Sequence, residues 1–497
     1  MIERYSDPEI IRIWSNENKV KLWEKTELAV IKARVAFEEL TVEDFNQICT
    51  ALELHPIDIK WWLEKEKELK HDLNAFVAER TRFLPLHLQP YFHQKLTSYD
   101  IEEPAFAMML KESISQVEGH YIRLDLILMN MARKYRFTIM NGRTHGQEAE
   151  LQTFGKRILT WFRDLHLDIR NLEKATEKLT YSKLSGAIGN YTGIQPELEV
   201  ESLKILDLEP YYGATQIMPR EIYAPIAQAL CQIVLTLDKI ATSIRLGARS
   251  GRPIFQEPFG KKQTGSSTMP HKKNTISTEQ MEGMGRIAKG YLVMIMDNIK
   301  TWEERAIEQS CVERVAWPDL FHVVIHSLKT MTKVLDGLVV YPDNMFLEIV
   351  ESRGCYAASE AKEFLKRYGE RHGLTVEECY RIVQVAAFNV FEPPEEIEII
   401  RRNLPTSLER ADALFASFQT LQRETPVSIR DIIAKGELRV SPQLDIKEED
   451  IQRWNRILKE IFRYETVRVS WAEVFTPSHL LKNEEFLYKQ VLGGSTK

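Results

Sequence analysis

The stretch PAFAMMLKESISQVEGHYIRLDLILMNM, residues 104–131, sets Phe106, Leu110, Ile114, Val117, Tyr121, Leu124, Leu128 and Met131 at steps of three or four. That spacing lays one apolar stripe along an α-helix. Pro104 stands at its start, where a helix tolerates a missing N–H. Four more stripes follow: Phe154 to Leu179, Ile226 to Ile244, Met284 to Ile299 and Leu320 to Leu338. Pro225 is expected to start or kink the third. A helix of about 30 residues spans about 45 Å, and five of them pack most simply as a near-parallel bundle. Convincing period-2 strands are scarce, so the expected fold is all-α. The expected domains are residues 1–102 (helical), 103–359 (the long bundle) and 360–497 (helical).

Between the stripes lie polar, glycine-rich stretches: NGRTHGQE (141–148), KLSGAIGNYTG (183–193) and GKKQTGSSTMPHKKN (260–274). A helical segment ending near TSYD (97–100) is expected before the bundle. A more charged helical tail follows it, with turns at EPPEE (392–396) and near Pro405, Pro426 and Pro442. With 44% apolar and 28% charged residues, the balance is that of a globular protein. A net charge of −6 excludes a global basic field for nucleic acid or anionic lipid, so any anion site is local. The opening MIERYSDPEIIRIW has no basic region followed by an apolar run, so no secretory leader is expected. No stripe reads as a membrane span. Cys49, Cys231, Cys311, Cys355 and Cys379 are scattered without a CxxC pair, which fits a reducing cytoplasm and no structural zinc.

The chemistry-bearing residues concentrate in the polar stretches. GSSTMPHKKN (265–274) combines hydroxyls, lysines, a histidine and backbone amides next to an expected helix start, which would add its positive end. By composition alone it reads more readily as a solvated surface loop. In GRTHG (142–146), glycines on either side permit tight turns around His145, a side chain that gives and takes protons near neutral pH. His71 and His93 also read as hydrogen-bonded core histidines. No HEXXH, P-loop, GxGxxG or GxSxG pattern occurs, and no metal or cofactor is expected. The residues by themselves reach a helical-bundle protein with loops suited to an anionic ligand, and stop short of a reaction.

GSSTMPHKKN resembles the signature loop G-S-S-x-M-P-x-K-x-N of the fumarase/aspartase superfamily. Within it the chain resembles the adenylosuccinate lyase family. The stretches that carry the likeness are RYSDPEIIRIWSNENKVKLW (4–23), EKELKHDLNAF (66–76), HQKLTSYD (93–100), GRTHGQEAELQTFGKR (142–157), KLSGAIGNYTG (183–193), GATQIMPRE (213–221) and WEERAIEQSCVERVAWPD (302–319). They follow the family's order over residues 1 to about 340. The resemblance implies a cytoplasmic, three-domain homotetramer with a twenty-helix core and sites shared between subunits, and no nucleic-acid or membrane partner. It implies cleavage of adenylosuccinate to AMP and fumarate, and of the succinylamino-carboxamide ribotide (SAICAR) to AICAR and fumarate.

By the same resemblance Ser266 is the general base, His145 the acid, and Lys272 and Asn274 stabilise developing charge. Glu279 pairs with the acid, and His71 is a second active-site histidine. Arg4 and Tyr5 match a phosphate pair, and His93, Thr97, Ser98 and Asp100 match a substrate loop. Thr144, Gln216 and Met269 match further substrate contacts, and Arg305, Ser310 and Arg314 match a later anion cluster. The chain departs from the pattern at Thr275, where proline is usual. It departs again at Glu303, Ala306 and Gln309, where bacterial members often carry His, Asp and His. The shared loop leaves open another lyase of the superfamily, such as an argininosuccinate lyase-like enzyme or a carboxymuconate cycloisomerase, and a catalytically silent structural relative.

Overall fold

The computed structural model describes residues 1–269, 271–391, 410 and 427–493. The turns expected at 392–396, Pro405 and Pro426 lie outside them. Seven helices frame the candidate site residues: α1 (Asn16–Ala36), α2 (Asp72–Thr81), α3 (Ser98–Lys134), α4 (Phe154–Thr176), α5 (Ala224–Gly247), α6 (Ile276–Asp297) and α7 (Glu308–Asp336). Helices α3 to α7 are the five expected stripes, and the fold is all-α apart from short two-stranded pairings. At 37 residues, α3 runs roughly 55 Å.

The chain forms two compact units. The first comprises residues 1–128, 161–249 and 255–339; the second comprises 129–160, 250–254 and 340–497. In the first, α5, α6 and α7 pack on one another. They bury Leu230, Ile233 and Leu237 of α5, Met281 and Ala288 of α6, and Leu320, Val324 and Leu328 of α7. A separate core, built on Trp23, Trp62, Phe76, Phe92 and Ile101, holds the N-terminal helices. In the second unit, the helices Ala358–Gly369, Val376–Phe391, Ile429–Lys435, Glu448–Ile461 and Glu465–Val474 close on Phe364, Ile382, Ile433, Trp454 and Trp471. The segment Arg220–Gly247 is long and apolar enough in composition to cross a membrane. Most of its apolar side chains are nonetheless buried within the first unit, as in a core helix.

Three local expectations are corrected. Pro104 lies inside α3 and not at its start, and TSYD begins the helix rather than ending the one before. The Thr97 N–H donates to Asp100 Oδ2 at 2.8 Å, which is half of a capping box and sets the start more than a turn ahead of the proline. The proline removes one ladder bond, a cost of about 3 kcal/mol in a free helix. Burial of Tyr99, Ile101 and Ala105 around it opposes that cost. Residues 141–148, expected as a loop, belong to a hairpin of β1 (Ile139–Thr144) and β2 (Gln147–Thr153). Pro225 sits in the first turn of α5, as its spacing predicts.

Three segments of the first unit are locked by Arg220, which follows the GATQIMP stretch. Its guanidinium holds both Glu313 oxygens of α7, at 2.8 and 3.0 Å, and Glu103 Oε1 of α3 at 2.6 Å. Glu103 also accepts from the Met218 N–H and the Tyr223 hydroxyl. All three charged side chains are almost fully enclosed. Burial pushes the Glu313 carboxyl upward, and Arg220 opposes that push. Arg220→Met would strand two carboxylates, and one stranded partner of a buried pair costs about 3–5 kcal/mol. The urea midpoint should fall accordingly. It should fall further at pH 8 than at pH 5, because only at low pH can the orphaned acids take protons. An equal loss at both pH values would contradict this account.

Candidate active site

The signature loop is built on a neck that admits only glycine. A Cβ on Gly265 would lie 1.8 Å from the Lys272 carbonyl oxygen. Asn274 Nδ2 donates to the Gly265 carbonyl at 2.7 Å and ties the loop's two ends together. Inside the loop, Ser266 Oγ accepts the N–H groups of Met269 at 3.1 Å and Thr268 at 3.3 Å. Two amide donors on one hydroxyl oxygen favour negative charge there. Met269, Lys272 and Lys273 are exposed, and Ser266 is half-buried. The start of α6 does not offer its positive end to a ligand as expected. The buried Glu257 carboxylate accepts the Ser277 and Thr278 N–H groups, both at 3.1 Å, and occupies that terminus. Glu279, in the first turn, faces Arg245 at 3.5 Å.

His145 belongs to the second unit, at the tip of the β1–β2 hairpin. His145 and Gly146 have φ of +54° and +78°, the left-handed pair of a type I′ turn, so the exposed imidazole rides at the apex. Thr144 pairs with Gln147 across the ladder, and a bulge between Asn141 and Arg143 bends the ribbon. Arg143 braces it through Glu348 at 2.9 Å.

Most of the remaining residues lie in the first unit as two clusters, and the Arg4–Tyr5 turn packs elsewhere on α7. In one, the enclosed Asp100 accepts from Lys183 at 2.7 Å, Thr97 N at 2.8 Å and Gly186 N at 3.2 Å. Lys183 also donates to the carbonyls of Gly186 and Gln216. The Gln216 side chain accepts from Arg305 at 3.0 Å, and Arg305 lies 4.4 Å over the Tyr99 ring. The Tyr99 hydroxyl hydrogen-bonds with Ser310. Ser98 stands half-buried in the same first turn of α3. His93 is held apart by the buried Glu27, through its N–H at 3.1 Å and its Nδ1 at 2.6 Å. Burial works against the imidazolium, but the Glu27 hydrogen bond and charge outweigh it and raise the His93 pKa.

In the other cluster, His71 is the N-cap of α2. Its Nδ1 accepts the Asn74 N–H at 3.3 Å, which leaves Nε2 as the protonated nitrogen of the neutral ring. Next to it, Asp72 bonds Arg314 of α7 at 2.8 Å. Arg4 and Tyr5 form a short 3-10 turn, with the Tyr5 ring edge-on to His326. Among the described residues no hydrogen bond or ion pair links the Ser266 loop to either cluster. Sequence reasoning passed over Asp72, Lys183, Glu257 and Tyr99. Lys183, at the head of a quoted glycine-rich stretch, Asp72, beside a singled-out histidine, and Tyr99, between Ser98 and Asp100, carried a local signal, and Glu257 carried none.

A family model described as a lyase matches residues 4–290. The adenylosuccinate lyase of Streptococcus mutans is 33% identical over 384 residues, which cover 77% of this chain and 87% of that protein. The chain belongs to the adenylosuccinate lyase family. Relatives of the same name in Synechocystis (31% over 428 residues, 86% of this chain and 97% of that one) and Aquifex aeolicus (34% over 392 residues, 79% and 89%) extend the family match. Among solved structures, a β-carboxy-cis,cis-muconate cycloisomerase of Acinetobacter calcoaceticus superposes with a TM-score of 0.74 over 98% of each chain at 18% identity. A fumarate lyase of Mesorhizobium gives 0.71 over 96% of this chain and 99% of that one, also at 18% identity. These two share the family's fold.

Glu257→Ala should remove two caps from α6 at a cost of about 1–2 kcal/mol. Faster hydrogen exchange at the Ser277 and Thr278 amides should accompany the loss. Unchanged exchange there would mean that the carboxylate does not hold the helix start.

Proposed function

We propose that the protein eliminates fumarate from adenylosuccinate, giving AMP, and from SAICAR, giving AICAR. The observation that carries the reading is the loop around Ser266, whose oxygen rests on two backbone amides within a neck that only Gly265 and Asn274 allow. Relatives named for that activity support it over most of the chain.

In this reading the Ser266 oxyanion takes a proton from the succinyl carbon next to a carboxylate. The amides of Thr268 and Met269, with Lys272, stabilise that oxyanion. Charge then moves into the carboxylate, and the C–N bond breaks as His145 gives a proton to the departing purine amine. Glu279 pairs with His145, while Arg4, Tyr5, His71, Arg305, Ser310 and Arg314 hold the nucleotide and its anionic groups. Thr97, Ser98, Thr144, Gln216, Met269 and Asn274 contact the substrate, and His93 and Asp100 belong to the same substrate loop as Thr97 and Ser98.

The reading includes a cytoplasmic homotetramer whose chains have three domains, with boundaries near 102 and 359. Separate apolar cores for the N-terminal helices and for residues 357–475 support the division. Exposed Ile122 and Leu126 on α3, Leu167 on α4 and Val293 on α6 support burial against other subunits.

Purified protein mixed with adenylosuccinate should release fumarate, seen as an ultraviolet absorbance change. Ser266→Ala and His145→Ala should each fold and lose about 10²–10⁴-fold in turnover. If sites are shared, mixing and re-equilibrating the two variants should restore part of the activity. Full activity in Ser266→Ala would move the base elsewhere, and no fumarate from either substrate would reject the activity.

A further inference from the structure

Beside Arg314 and His71 lie two charged groups that take no part in the chemistry above. Lys19, on α1, sits over the rings of Trp23 and Trp62 at 4.8 and 5.1 Å. Its ammonium is 3.9 Å from Asp72 Oδ2, too far for a hydrogen bond. Asp72 spends that oxygen on Arg314 at 2.8 Å. Glu102, one turn along α3 from Ser98, is partly buried and shares the field of Asp72, Lys19, Arg314 and Arg305. Among the described residues neither the Lys19 ammonium nor the Glu102 carboxyl makes a hydrogen bond. Lys19 is partly exposed, and its long approach to Asp72 leaves it able to make a shorter, charge-assisted hydrogen bond to an anionic ligand.

We propose that Lys19 and Glu102 belong to the binding site for the ligand's phosphate dianion, with Lys19 as an additional cation and Glu102 taking up a proton as the dianion docks. The proposal rests on the reading that His71 and Arg314 face the nucleotide.

Charge balance gives the reason. Lys19 and Arg314 bring two positive charges and Asp72 one negative, so the group is net positive only while Glu102 is neutral. Burial first, and then the like charge of Asp72, push the Glu102 carboxyl up to about 7, against the pull of Lys19, Arg314 and Arg305. Burial also lowers the Lys19 pKa, as does Arg314, while Asp72 resists. The groups facing Glu102 are Lys19 on α1, Asp72 on α2, Arg314 on α7 and Arg305 just before α7; Tyr99 lies on its own helix. Glu66 faces Lys19 and Arg314 from the helix Ile59–Leu69. An arriving dianion adds negative charge and raises the Glu102 pKa further. Binding is therefore tightest below about pH 7. It weakens as the pH climbs from the pKa of the empty site to that of the occupied one, tenfold for each unit between them.

The test is calorimetric titration of the full-length protein between pH 7 and 9, where AMP remains a dianion. Sulfate, whose charge is constant, serves as a second probe. The AMP dissociation constant of the wild type should rise roughly fivefold across that range, for an empty-site pKa of about 7 that rises by one unit on binding. Glu102→Gln should flatten the dependence for both probes. Lys19→Met should weaken AMP and sulfate at pH 7 by at least roughly tenfold, the scale of one lost charge-assisted hydrogen bond, and Lys19→Arg should recover most of the loss. With adenylosuccinate as substrate, the Lys19→Met change should fall on KM more than on kcat. Glu102→Gln with the wild-type pH slope, or Lys19→Met with wild-type affinity, would overturn the proposal; so would wild-type protein that binds neither probe. Sulfate binding with the expected slopes but no AMP binding would uphold the anion site and reject the nucleotide reading.

Discussion

Arg220 forms the charged joint that sets the register of three segments in the first unit. One guanidinium satisfies Glu313 of α7 and Glu103 of α3 at once, and Glu103 in turn orders the Met218 amide and the Tyr223 hydroxyl. Apolar contacts would hold these segments together about as tightly, since a buried ion pair often contributes little net stability. What they would not do is fix register. Ser310 and Arg314 flank Glu313 on α7, Tyr99 and Glu102 flank Glu103 on α3, and Gln216 precedes Arg220 by four residues. A slip of one residue in any of the three would carry a polar side chain out of its cluster, and the directional bonds of the joint forbid that slip.

The loop around Ser266 obeys a different economy. It is mostly exposed, so its geometry comes from hydrogen bonds within the loop and not from packing. Glu257 supplies the boundary between this loop and the rigid helix after it. By occupying the first amides of α6 it keeps the helix from unwinding into the loop.

Much of this was legible in the sequence because its causes are local. The five apolar stripes announce α3 to α7 through a period of 3.6 residues, and Pro225 marks a helix start because its ring conflicts with the turn before it. Pro104 misled because the cap that outranks it, Thr97 with Asp100, lies several residues upstream. The hairpin escaped because QEAELQT has little alternation, and its turn is carried by His145, where asparagine or aspartate before the glycine is the common signal. The site was legible only through resemblance to a family motif. The Asp72–Arg314 bond joins residues 242 positions apart, the Glu257 cap reaches over twenty, and no local pattern encodes either.

Neither compact unit is a continuous piece of chain. The polypeptide passes from one to the other near residues 129, 161, 250, 255 and 340. The first unit therefore cannot finish folding on a ribosome until α7 has emerged, although its N-terminal helices are made early. Until then long loops stand open and their closure entropy is unmet, and half-built apolar faces of α3 and α5 are exposed to aggregation. A chain wired in this way resists dissection: neither unit can be excised by cutting at a single linker, and a nascent chain that stalls before residue 308 has made most of the first unit without the helix that completes it.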